Sequence, residues 1–144
     1  MKRFALLNLV ILFAINSFAQ HRFIVQNGTT QVYNDISDAF ENSVYGDTIY
    51  LPGGVFTLST EQRTQNKQLT IFGACYNPDS TQATYYTYIN HGMTFKGNCD
   101  GSYITGIHFN GDIQLGDGTD DAMDILIERC RINTVNLRHS SVTD

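Results

Sequence analysis

Two groups of side chains in this 144-residue sequence have types and spacing suited to chemistry. The first is acidic. Asp112, Asp117, Asp120, Asp121 and Asp124 crowd one stretch, and Gly116-Asp117-Gly118-Thr119-Asp120-Asp121 can fold into a loop that presents carboxylate oxygens. Such oxygens suit Ca²⁺, with Asp117, Asp120 and Asp121 as candidate ligands. The spacing is not that of an EF-hand, which ends on a Glu at its twelfth position. An ordinary acidic turn is the simpler expectation. The second group is His108, Glu128 and Arg131. If Ile104 and Ile127 point inward on successive repeats, Thr105 and Glu128 point outward and stack, and His108 and Arg131 become neighbours about one strand spacing apart. Imidazole takes a proton near neutral pH and guanidinium holds a carboxylate. Together the three can bind or deprotonate an acidic sugar. Exposed charges are ordinary, so a solvated face with a Glu128–Arg131 contact is the simpler expectation here too.

Other residues offer less. Tyr85, Tyr86 and Tyr88 can stack on sugar rings, and they suit strand surfaces equally well. His21, His91 and His139 are isolated and read as surface residues. No glycine run sits in a strand–GxGxxG–helix setting, so nucleotide binding has no support. There is no G-x-S-x-G elbow.

These side chains need elements to hold them. Phe23-Ile24-Val25 reads as a short strand ending at an Asn27-Gly28 turn. Ile36, Ala39, Phe40 and Val44 then fall on one helical face. Asn34 or Asp35 can cap that helix and Gly46 can stop it. After Gly46 the chain turns β-like. Ile49 and Leu51 alternate, and Pro52-Gly53-Gly54 turns the chain into Val55-Phe56. Strand-like runs recur at Leu69–Gly73, Tyr103–Ile107 and Ile125–Ile132. Aligning Leu51, Ile71, Ile104 and Ile127 gives spacings of 20, 33 and 23. The long interval contains an inserted loop, Tyr76 to Tyr88, rich in turn formers. A period near twenty residues, built of short strands and turns, predicts a solenoid whose turns must stack to hide their apolar faces. Leucine-rich repeats share the period but require regularly placed leucines. A β-sandwich would not usually repeat Ile-x-Gly at corresponding points.

The termini and composition set further bounds. Lys2 and Arg3, the apolar run Phe4–Ile15 and Ser17-Phe18-Ala19 have the order of a signal peptide, with cleavage expected after Ala19. The apolar run is short for a bilayer span, so no membrane insertion is expected after cleavage. Loss of residues 1–19 leaves seven basic residues against 14 acidic ones, a net charge of −7. Nucleic acid is thereby disfavoured as a partner, as are anionic membranes. Cys75, Cys99 and Cys130 fit no zinc spacing. A Cys75–Cys99 bridge and three separate thiols are both compatible with export.

Tyr45-Gly46-Asp47-Thr48-Ile49-Tyr50-Leu51-Pro52-Gly53-Gly54-Val55-Phe56, following the helix, resembles the opening of pectate-lyase-like right-handed parallel β-helix proteins. In that family an amphipathic helix caps the first coil and Gly-Asp-Thr-Ile-x-x-x-x-Gly-x-Tyr enters it. Phe56 stands where Tyr is usual. Leu69-Thr70-Ile71-Phe72-Gly73-Ala74, Ile104-Thr105-Gly106-Ile107-His108-Phe109 and Ile127-Glu128-Arg129-Cys130-Arg131-Ile132 are similar to secreted β-helix proteins of the Bacteroidetes type. The resemblance covers about residues 23–139. It implies an all-β solenoid with an N-terminal amphipathic capping helix. The divisions are a signal peptide at 1–19, a strand and capping helix at 20–46, and coils over 47–144 that are incomplete at the C-terminus. Family lyases use Ca²⁺, but their ligand positions find no match here. The expected function is an exported, secreted or cell-surface scaffold that binds glycan or adheres. The alternative is the N-terminal part of a polysaccharide lyase or glycoside hydrolase whose active site lies mostly beyond Asp144. Ile132, Val135 and Leu137 would sit on an open last coil and invite self-association.

Overall fold

Short runs of strand-forming residues, most of them closed by Gly, Asn or Pro, leave the chain little choice but many brief strands. The computed structural model describes residues 21–77 and 85–138; residues 1–19, expected as a signal peptide, and His139 lie outside them. β1 (Phe23–Asn27) and β2 (Thr29–Tyr33) form an antiparallel hairpin. β2 is polar and does not alternate, so it becomes a strand only by pairing with β1. Helix α1 (Ile36–Asn42) follows. Asp35 caps it, its Oδ1 accepting the Ser37 amide at 2.7 Å. Ile36, Ala39 and Phe40 are buried, as the helical spacing requires. Val44, placed on the same face by sequence, instead lies past the helix end and is 59% exposed. The helix stops early because its last carbonyls are taken. Ser43 Oγ donates to the Phe40 oxygen at 2.7 Å, and Lys67 Nζ donates to the Phe40 and Ser43 oxygens at 2.7 and 2.6 Å. A cation at a helix C-terminus also complements its dipole.

Beyond Gly46 the strands join three sheets in strict rotation. β3 (Asp47–Tyr50), β6 (Leu69–Phe72), β9 (Tyr103–Thr105) and β12 (Leu126–Glu128) lie in the first, with β1 and β2 paired outside β3. β4 (Gly54–Phe56), β7 (Thr87–Ile89) and β10 (Ile107–Phe109) form the second, extended by a bridge between His108 and Arg131. β5 (Thr64–Gln65), β8 (Met93–Phe95), β11 (Ile113–Leu115) and β13 (Val135–Leu137) form the third. Every pairing within the rotation is parallel. The protein is thus mostly β, with parallel sheets, and no sheet closes on itself.

The inward ladder of the first sheet is Ile49, Ile71, Ile104 and Ile127. The sequence alignment began it at Leu51, two residues late. A two-residue slip keeps every side chain on its face, so hydrophobicity alone does not detect it. Two sequence runs each divide between sheets. Tyr103–Ile107 bends at Gly106, where β9 gives way to β10. Ile125–Ile132 breaks at Arg129, whose φ of 50° lets Arg131 reach the second sheet. The insertion ends sooner than the sequence suggests, since Thr87 and Tyr88 belong to β7; residues 78–84 are outside the description.

Side chains from all three sheets, α1 and β1 meet in one apolar cluster. Ile49, Ile71, Ile89, Phe95, Ile104, Ile107, Phe109 and Ile113 have no exposed surface. All three cysteines are free thiols. Burial pushes the Cys99 and Cys130 thiols up, which keeps them protonated. Among the described residues, no helix is long and apolar enough to cross a membrane.

Candidate ligand groove

The outward residues of the second sheet build the most chemically varied surface. Inward Thr87 and Ile89 force Tyr88 outward on β7, and Ile107 and Phe109 do the same for His108 on β10. Parallel register then stacks Val55, Tyr88 and His108, and the bridge adds Arg131 on the next rung. His108 lies edge-on to Tyr88 at 4.7 Å and stacks on Tyr86 at 5.7 Å. Tyr76, Tyr86, His108, Cys130, Arg131 and Ile132 line a groove of about 630 Å³, a volume suited to a small ligand. Burial, and next the Arg131 charge, hold His108 below the ordinary imidazole value. Near neutral pH it is therefore a hydrogen-bond partner and not a second cation beside Arg131.

Of the sequence-selected trio, His108 and Arg131 come together as the register implies. Glu128 does not join them. It pairs with Thr105 on the outer face of the first sheet, where it accepts the Tyr103 hydroxyl proton. Among the described residues, the only ion pair is Lys96–Asp117, so the Glu128–Arg131 contact is not formed. On that same first-sheet face Tyr50 stacks on Phe72 at 5.4 Å, and Phe72 meets Tyr103 edge-on at 5.7 Å. This aromatic row continues into a second hollow, lined by Tyr76, Tyr103 and Arg129 among others. The row was not selected from sequence. The register that sets Tyr50 beside Phe72, and Phe72 beside Thr105 two residues after Tyr103, carries its signal, but it is legible only once Ile49 replaces Leu51 on the first rung.

The acidic loop is occupied with itself. Asp117 Oδ1 accepts the Thr119 amide at 2.9 Å, the Thr119 hydroxyl at 2.6 Å and the Asp120 amide at 2.9 Å. Its Oδ2 meets Lys96 Nζ at 2.9 Å. Thr119 and Lys96 together hold the Asp117 carboxyl well below the usual carboxylate range. Lys96 thus supplies the local positive charge that a divalent ion would otherwise bring. Asp112 instead accepts from Asn136 at 3.3 Å. Among the described residues, no group of three His, Cys, Asp or Glu side chains is arranged around a common point for a metal.

No family model, no curated protein and no solved structure matches the chain.

His91 adds a pH dependence. Both of its ring nitrogens are shut from water without a partner. Burial, then the Arg63 charge, lower its pKa, in the same direction as for His108. Folding thus keeps both imidazoles neutral, while the unfolded chain takes up protons as pH falls through about 6.5. Stability is expected to be full above that value and to fall below it. Urea midpoints at pH 7.5 and 5.5 measure the loss, and a double variant, His91→Gln with His108→Gln, is expected to flatten it. An unchanged slope in the variant would assign the loss to other groups.

Proposed function

We propose that this chain is an exported right-handed parallel β-helix scaffold whose outer groove binds acidic glycan. The strict rotation through three parallel sheets supports the helix, and parallel crossovers are nearly always right-handed. The resemblance of Gly46–Phe56 to the β-helix entry sequence supports it independently. Export rests on the signal-peptide order of residues 1–19. The observation that carries ligand binding is the Tyr86–His108 stack beside Arg131. Aromatic faces pack against the apolar faces of sugar rings. A guanidinium one rung away fits a uronate carboxylate.

The enzyme reading, a lyase or hydrolase portion, finds less support because Glu128 stands on another sheet from His108 and Arg131. Calorimetric titration with polygalacturonate oligomers tests both. Wild-type chain is expected to release heat, and Arg131→Ala is expected to weaken binding about tenfold or more, the loss of one charge-assisted hydrogen bond. Tyr86→Ala weakens it as well. Binding indifferent to both substitutions, or no binding, contradicts the groove. With Ca²⁺ added, no ultraviolet-absorbing unsaturated product is expected; its appearance would establish the lyase alternative.

A further inference from the structure

At the start of β3 the alternation of the first sheet turns a carboxylate inward. Asp47 and Ile49 are buried, Thr48 between them is half-buried, and Asp47 stands beside buried Leu69 on β6. A carboxylate in such a column needs partners for its oxygens. Oδ2 has one. It accepts the Val44 amide at 2.7 Å and closes the turn that Gly46 makes with φ of +85°. Oδ1 is almost shut from solvent and meets no hydrogen-bond donor among the described residues. Lys67 lies near enough for the two charges to attract. Its ammonium protons, however, go to the carbonyl oxygens of Phe40, Glu41 and Ser43. Among the described residues the only ion pair is elsewhere, at Lys96–Asp117.

The strand register gathers neutral oxygens in front of this carboxylate. Val25 pairs with both Ile49 and Gln31, and Asn27 pairs with Thr29. Directly paired residues share a face, as do residues two apart on one strand. Asn27, Thr29 and Gln31 therefore lie on the face of Asp47. The end of α1 adds Asn42, and the turn after it adds Val44. Together they line a hollow of about 150 Å³, the share of about five liquid waters. Asn42 spends its amide nitrogen on the Asp38 oxygen at 2.8 Å, so its own oxygen is left to accept. The Gln31 oxygen takes the Tyr33 hydroxyl proton and keeps a second lone pair.

We propose that this hollow binds one Na⁺ ion, held by Asp47 Oδ1, by the neutral oxygens of Asn27, Thr29, Gln31 and Asn42, and by water. Hard cations take oxygen ligands, and their affinity follows the number of charged ones. A single carboxylate with Lys67 close by balances one positive charge, not two. That disfavours Ca²⁺, and Mg²⁺ also parts reluctantly with its waters. Size separates the monovalent ions. Oδ1 leaves almost no contact for a sphere the size of water. Bare Na⁺ is smaller than water, whereas bare K⁺ is about equal to it. The bound ion ties the β1–β2 hairpin to β3 and to the end of α1, so it stabilises the folded chain.

The site depends neither on the groove nor on export. Urea unfolding of the whole chain tests it at constant ionic strength, with tetramethylammonium chloride replaced stepwise by NaCl. Stability is expected to rise along a saturating curve, with the folding constant about threefold higher at about 0.2 M NaCl. KCl is expected to act more weakly. Asp47→Asn keeps an acceptor for the Val44 amide and loses the charge, and its stability is expected to be the same in both salts. Thr29→Val keeps the strand shape, removes one oxygen and is expected to move half-saturation to about fivefold higher NaCl. Asp38→Asn, at an exposed position on α1, is expected to keep the wild-type curve. Equal wild-type stability in NaCl and tetramethylammonium chloride overturns the proposal and leaves the hollow to water. A saturating gain from CaCl₂ without one from NaCl, or a larger one from KCl, overturns the choice of ion. A sodium effect that survives in Asp47→Asn overturns the site. If that variant does not fold, Thr29→Val decides, and an unshifted curve overturns the site.

Discussion

Replacing Ile104 with alanine is expected to lower the unfolding free energy by about 3–4 kcal/mol, within the range for large-to-small core changes. Ile104 has no exposed surface and sits on the third rung of the first sheet, between Ile71 and Ile127. The backbone above and below it is held by parallel pairing, so the vacated space cannot collapse. The cost is then the lost transfer energy plus the cavity. The same change at Ile127, on the last described rung and only partly covered, is expected to cost about 1 kcal/mol, because less apolar surface returns to water. Urea unfolding of the two variants gives the comparison. Equal small losses at both sites would mean that Ile104 is not enclosed between rungs.

Gly106→Ala is the second large effect. Gly106 turns the chain from β9 into β10 with φ of +75°. A β-carbon there costs about 1–2 kcal/mol from the left-handed backbone alone. It would also stand 2.6 Å from the carbonyl oxygen of Gly73, which follows the neighbouring strand β6. Backbone cannot swing aside as a side chain can, so the strain of overpacking adds roughly 1–2 kcal/mol. The expected total is about 3 kcal/mol by chemical denaturation. Gly118→Ala serves as control. Its φ is +94°, but a β-carbon there meets nothing within 4 Å. Only the backbone cost of about 1–2 kcal/mol should appear. If both substitutions cost the same, the two corners do not approach as the sheets require.

The same two corners explain what the sequence tells and what it hides. Apolar residues at every second position revealed β6, β9 and the ladder of isoleucines, because a half-buried strand must alternate. The capping helix was legible for the same reason, through Ile36, Ala39 and Phe40. The third sheet was not legible. β5, β8, β11 and β13 have two or three residues each and, unlike β9 and β12, sit in no longer apolar run, so no period registers. The turns at Gly106 and Arg129 were hidden too, since an apolar run does not announce a bend between two sheets.

The site divides along that line. His108 and Arg131 were correctly made neighbours because both Ile104–Ile127 and the residues beyond them keep one register. Glu128 was grouped with them because a linear alignment preserves spacing but not direction. Between Glu128 and Arg131 the chain turns a corner, so the two outward residues of one run face different ways. The partner of the acidic loop was hidden for a different reason. That partner, Lys96, lies 21 residues earlier and reaches Asp117 because β8 pairs with β11.

The stacking of parallel rungs is most directly tested by proton–proton contacts in a nuclear Overhauser spectrum of isotope-labelled protein. The register predicts amide-to-α-proton contacts linking the Ile71 and Ile104 rungs, and the Ile104 and Ile127 rungs, with no close pair of α-protons across either boundary. Strong α-proton pairs between β6 and β9 would mean antiparallel neighbours and would contradict the stacked coils outright.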